Sequence, residues 1–280
     1  MERIIIMSKK LLIVIIALLL VVCGVSTYIH IKNKNESEEN KKTYETVAAE
    51  VAATEDSTTP KATEAPVNPY TDAIQNGNAN GYGGTGDSNQ NYGNSMTAAQ
   101  NPDMVGWIKI NGTNINYPVM QTKENPDYYL NHDFYKNESV YGCPYVQANC
   151  DVKTPSDNVI IYAHHMNDGS MFANLELFRS KDFWSSHKTI SFDTLDTKAN
   201  YDILAVFAIP VDQNDKNTFK FYEFVNSYDP DHFSTFVAKC KALSFYETGV
   251  SAKYGDKLLT LATCEYTNEN GRLVVVAKRK

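Results

Sequence analysis

Residues Leu258 to Lys280 read LLTLATCEYTNENGRLVVVAKRK. An apolar run (Leu258, Leu259, Leu261) ends in Thr263-Cys264-Glu265. A polar turn follows at Asn268-Glu269-Asn270-Gly271, and a second apolar run, Leu273 to Ala277, begins directly after Arg272. Two strand-length apolar runs separated by turn residues read as a β-hairpin. The pattern leaves a thiol at the end of one strand and a guanidinium at the start of the next. A nearby fixed positive charge favours thiolate over thiol, and the thiolate is the nucleophile.

Outward from this hairpin, the same texture runs back to about Pro102. Val105–Ile110 and Ile115–Met120 flank Asn111-Gly112, a strong turn signal. Val159–Tyr162, Thr189–Phe192 and Tyr201–Ile209 are further strands by composition and length. Two helices are expected between them. One covers about Ser170–Phe178. The other opens with Asp229 as N-cap and Pro230 as its first residue. Its apolar positions Phe233, Phe236, Val237, Cys240 and Leu243 recur at helical spacing, which assigns Cys240 to the core. The fold class is mostly β, a closed or nearly closed barrel with peripheral helices.

Upstream of this domain the composition cannot build a core. Asn35 to Lys42 is charged and polar, Val47 to Val67 is rich in Ala, Thr, Glu and Pro, and Gln75 to Asn94 is Gly/Asn-rich. Too little apolar surface is present to offset ordering entropy, so a flexible tether is expected, interrupted at most by short helices at Tyr44–Ala53 and Met96–Gln100. Leu11 to Ile29 (LLIVIIALLLVVCGVSTYI) is uncharged and about 19 residues long, enough to cross a bilayer as a helix. A cleaved signal peptide is the competing reading; the long apolar core and the lack of a small-x-small site favour an uncleaved anchor. Lys and Arg flank both ends, so their count does not orient it. The division is therefore 1–10, anchor 11–29, linker 30–96 and folded domain 97–280.

The 280-residue chain carries a net charge of −7 and no basic stripe, which argues against nucleic-acid binding. Its five cysteines (Cys23, Cys143, Cys150, Cys240, Cys264) form no CxxC pair and no zinc-type spacing with histidine, so no metal is expected. Cys143 and Cys150 could close a short disulfide loop in an extracellular domain. Of six histidines, His30 abuts the anchor, His187 and His232 are expected on the solvated surface, and His132 is ambiguous. His164 and His165 directly follow the strand Val159–Tyr162, where a barrel site is built. A hydrogen-bonded loop or a metal site is the alternative for this pair, but only Asp168 is close.

The segments NVIIYAHHMNDGSMF (Asn158–Phe172), TLATCEY (Thr260–Tyr266) and GRLVVVAK (Gly271–Lys278) resemble the three signature blocks of class B sortases. VGWIKINGTNINYPVMQ (Val105–Gln121) and YYLNHDF (Tyr128–Phe134) resemble the start of that class's catalytic domain, and the helix Asp229–Tyr246 fits class B. The resemblance spans about Thr97 to Lys280. It implies an eight-stranded sortase-type barrel and a cysteine transpeptidase, with Cys264 as nucleophile, His164 as proton carrier and Arg272 steadying substrate and oxyanion. Asn116, Met120, Tyr162, Ala262, Thr263, Glu265 and Phe219 are expected at the substrate site, with Glu265 in an orienting role and the loop Thr218–Tyr222 setting specificity. One departure is Ala163, where the family has Gly before the histidine; this puts the local backbone in question.

The resemblance further implies surface proteins with a sorting motif of Asn-Pro-x-Thr type as donors and a peptidoglycan-precursor amine as acceptor, with no cofactor. The catalytic domain is then outside and the N-terminus inside. Rival readings are a hydrolase using the same residues, a pilin-polymerising sortase, a binding-only relic of the fold, and a tethered adhesive protein.

Overall fold

The computed structural model describes residues 9–56, 98–210, 218–265 and 271–280. The chain divides into two units, Met1–Glu45 and Thr46–Lys280.

The first unit is helical throughout its described part and belongs to one helix, Lys9–Asp56. Its apolar N-terminal half is exposed, with Leu18, Leu20 and Val22 all more than half accessible. That stretch is long and apolar enough to cross a membrane. The helix does not stop at residue 29. Residues 30 to 56, expected within the linker, are helical. Ala, Glu and Lys between 36 and 53 are good helix formers, and i,i+4 pairs Lys32–Glu36 and Lys41–Glu45 support the exposed surface. The Gly/Asn-rich part of the linker lies outside the described residues.

In the second unit eight strands close a barrel in the order β1-β2-β3-β4-β7-β8-β6-β5. The strands are β1 (Met104–Lys109), β2 (Asn116–Met120), β3 (Tyr145–Val146), β4 (Asn158–Tyr162), β5 (Thr189–Thr194), β6 (Asn200–Pro210), β7 (Leu258–Glu265) and β8 (Gly271–Arg279). The β1–β2 connection turns at Gly112, whose φ of +78° is the left-handed value Asn-Gly turns require. β3, only two residues long, carries no periodic signal and was not foreseen. Pairing parallel to β2 and antiparallel to β4, it closes the gap between them.

β7 and β8 read as continuous rather than alternating apolar runs because both faces are covered. On β8, Val274 and Val276 join a cluster with Phe207 of β6, Ala262 of β7 and Phe233, Phe236, Val237 and Cys240 of the helix Pro230–Leu243. Leu273, Val275 and Ala277, equally inaccessible, occupy the opposite face. The helix starts as expected: Asp229 accepts a hydrogen bond from His232 N at 2.7 Å, a cap worth about 1 kcal/mol, and Pro230 follows it.

The expected helix at Ser170–Phe178 is replaced by a 3-10 helix, Ala173–Arg179, and a separate short helix, Lys181–Ser186. Ser180 separates them: its backbone is extended and its hydroxyl caps the second by accepting from Phe183 N. His187 and His232 are half-buried rather than freely solvated. His187 stacks on Phe183 at 4.0 Å and His232 on Tyr228 at 4.0 Å, each one turn apart. Cys143 and Cys150 are buried free thiols that face different carbonyls, of Pro118 and Asn158, so they form no disulfide.

Asn158 ties the barrel to the segment ahead of the helix. It is fully buried, donates to the Phe224 carbonyl at 2.9 Å and accepts from the Thr260 hydroxyl at 2.8 Å. Asn158→Ala strands both partners away from water. The expected loss is about 2–4 kcal/mol of unfolding free energy, read as a lower urea midpoint with an unchanged slope.

Candidate active site

The site follows from strand register. β4 and β7 run parallel, with Tyr162 opposite Ala262. The pairing continues one step beyond β4, because Ala163 N donates to the Ala262 carbonyl at 3.3 Å and the Thr263 hydroxyl donates to the Ala163 carbonyl at 2.8 Å. His164 directly follows Ala163, as Cys264 directly follows Thr263. On the other side β7 and β8 are antiparallel, and Cys264 pairs directly with Arg272. The ends of three adjacent strands, about 4.8 Å apart, therefore carry Cys264, Arg272 and, two residues past β4, His164 at one end of the barrel.

His164 is held from both directions. Its Nε2 lies 2.7 Å from the Leu130 carbonyl oxygen. Its own carbonyl accepts from Phe172 N at 2.9 Å, closing the loop that follows β4. That loop contains Met171, fully buried with φ +54°, whose N–H donates to Tyr117 Oη of β2 at 3.1 Å. Burial pushes the Tyr117 hydroxyl up to about 12, so it remains a neutral phenol at any physiological pH. Ala163 is not among the positive-φ residues, which among the described non-glycines are Lys136 and Met171. The methyl group in place of glycine therefore meets no left-handed backbone.

Arg272 is half-buried and donates from Nη1 to the Gly271 carbonyl at 2.9 Å. Burial raises the neighbouring Tyr162 hydroxyl well above the phenol range, Tyr145 and Cys150 add to this, and the Arg272 guanidinium opposes it. Tyr162 Oη donates to Gln147 Oε1 at 2.6 Å, and Gln147 Nε2 donates to the Tyr222 carbonyl at 3.0 Å. Gln147, which has no motif around it, thus couples β4 to the segment 218–224.

The remaining expected residues divide by accessibility. Tyr162 and Phe219 are part-exposed and packed on the cluster beneath the helix, with Phe219 between Phe207 and Phe236 at 6.2 and 5.7 Å. A cavity of about 670 Å³ opens beside Phe219 and is lined also by Lys220, His232 and Lys239. Ala262 forms floor, 1% exposed, in the same cluster. Thr263 is buried and spends its hydroxyl on the Ala163 carbonyl. Met120 is fully buried at the level of Tyr145, so it supports the site from within. Asn116 opens β2 and accepts from Trp107 Nε1 at 2.8 Å. Glu265 closes β7 opposite Gly271.

Two of the other thiols, Cys150 and Cys240, are poor nucleophiles. Burial pushes Cys150 up to about 11 and Cys240 higher still. Among the described residues no three His, Cys, Asp or Glu side chains converge as a metal site would need.

A cysteine, a histidine and an arginine at the neighbouring strand ends of a closed barrel are the kinds of group that thiol-dependent acyl transfer uses. Residues 108–280 match the Sortase domain family. Sortase B of Staphylococcus aureus is 35% identical over 180 residues, covering 64% of this chain and 70% of that protein. Sortase B of Listeria monocytogenes is 35% identical over 181 residues, with the same coverage. A Staphylococcus aureus sortase B–substrate complex superimposes with a TM-score of 0.69 at 25% identity, covering 88% of this chain and 98% of that one. The chain belongs to the sortase family, and its relatives place it in class B as a transpeptidase.

Proposed function

We propose that this chain is a membrane-anchored sortase that cleaves a sorting motif of the Asn-Pro-x-Thr type after Thr and joins the new carboxyl end to an amine of the cell wall. The set His164, Cys264 and Arg272 carries this reading, because it supplies a proton carrier, a nucleophile and an oxyanion donor to one carbonyl group. The Cys264 thiolate attacks the threonine carbonyl carbon. Arg272 hydrogen-bonds the oxygen as it takes up negative charge. The C–N bond breaks as imidazolium His164 gives its proton to the leaving amine. The incoming amine then attacks the thioester, His164 takes up its proton, and the C–S bond breaks to restore the thiolate.

Substrate side chains would lie along Tyr162, Ala262 and Phe219, with the segment 218–222 as the specificity wall. The apolar helix supports an anchor with residues 1–10 inside and the catalytic unit outside. The chain division 1–10, 11–29, 30–96 and 97–280 is retained for this arrangement, with the anchor helix running on into the linker. A substrate-bound Staphylococcus aureus relative supports a peptide donor.

The test is turnover of sorting-motif peptides by the full chain in detergent, with and without a peptidoglycan-type amine. Ligated product that depends on the amine is expected. Equal release of hydrolysed peptide in both arms would identify a hydrolase instead.

A further inference from the structure

The Leu130 carbonyl beside His164 can only accept a hydrogen bond. At 2.7 Å from His164 Nε2, the contact is a hydrogen bond only if Nε2 carries the proton. A ring rotated by a half-turn would set carbon against that oxygen and lose the bond. Neutral His164 is then restricted to one tautomer, with the lone pair on Nδ1.

The carbonyl itself is immobilised. Leu130 ends a single 3-10 turn, Tyr128–Leu130. The buried ring of Tyr129 anchors that turn: its hydroxyl donates to Asp103 Oδ2 at 2.9 Å and accepts from Asn101 Nδ2 at 2.8 Å. Its carbonyl accepts from Cys143 N at 2.9 Å. Gly142, with φ +60°, passes directly beneath. A Cβ there would lie 2.5 Å from the Tyr129 oxygen and 2.6 Å from the Leu130 oxygen. No other residue permits this approach without moving the carbonyl.

The geometry points to Leu130 and Gly142 as positioning residues that hold His164 in the Nε2–H form and make Nδ1 the sole proton-exchanging atom. In the acyl transfer above, the proton given to the leaving amine departs from Nδ1, and the acceptor amine returns one to Nδ1. Nε2–H stays on Leu130 throughout, so the imidazolium needs no reorientation between the two halves. The inference rests on the transpeptidase reading only for the use made of that proton.

The test is ¹⁵N NMR of the full chain in detergent with labelled histidine, His164 being assigned by the signals lost in His164→Gln. Above the titration of His164, a protonated Nε2 and an unprotonated Nδ1 are expected. The Nδ1–H form, or an even mixture, overturns the proposal, and this readout needs no turnover. If no peptide reacts, the transpeptidase reading fails while the tautomer is still measured. In Gly142→Ala, mixed tautomers and a kcat at least about ten-fold lower at nearly constant KM are expected. An unchanged kcat with the tautomer retained overturns the role of Gly142.

Discussion

Cys264→Ala is expected to lower ligation of a sorting-motif peptide by roughly 10⁴-fold or more, to background. Cys264 is the one residue of the set that can form the covalent intermediate. Cys150 and Cys240 are buried with raised thiol pKa values, Cys143 is buried, and Cys23 lies on the apolar helix. None can substitute for it. The measurement is product formation by chromatography, with mass spectrometry of denatured enzyme to detect the thioacyl adduct. The parent is expected to accumulate the adduct with peptide alone, and the variant to accumulate none. Full activity in Cys264→Ala would refute the assignment.

Arg272→Ala is expected to lower kcat by about 10²–10³-fold, the usual effect of removing one oxyanion donor. The loss should fall on kcat more than on KM, because negative charge on the carbonyl oxygen exists only in the transition state. Arg272→Lys retains the charge without the planar fork, so partial recovery is expected. A change confined to KM would make Arg272 a binding residue only. Its position opposite Cys264 and the field it exerts on Tyr162 make a transition-state role the better reading.

Much of this site was legible in local sequence. The closing hairpin, the cysteine and arginine at its two strand ends, and the Asp229-Pro230 helix start all lie within a few residues of the signals that reveal them. Asn111-Gly112 needed only its own backbone preference. The least legible elements lacked such signals. β3 is two residues long, shorter than any period. The short helix Lys181–Ser186 lies beyond the expected helix at Ser170–Phe178, where the structure has a 3-10 helix instead. The helical propensity of residues 30 to 56 was outweighed by their sparse apolar content, yet ion pairs support the exposed surface and Val47 and Val51 are buried in the second unit.

By itself the sequence determined every strand but β3, the apolar helix, the capped helix and the residue types at each strand end, because hydrophobic period, capping and turn preference act over a few residues. The tertiary structure alone decided which of those ends meet. The parallel β4–β7 register brings His164 beside a cysteine a hundred positions away, and Gln147 gains its role from Tyr162 and the Tyr222 carbonyl. The atom that orients His164 is the main-chain oxygen of Leu130, made accessible by Gly142. Every residue has such an oxygen, so no side-chain pattern could have announced it; only the closed barrel places it.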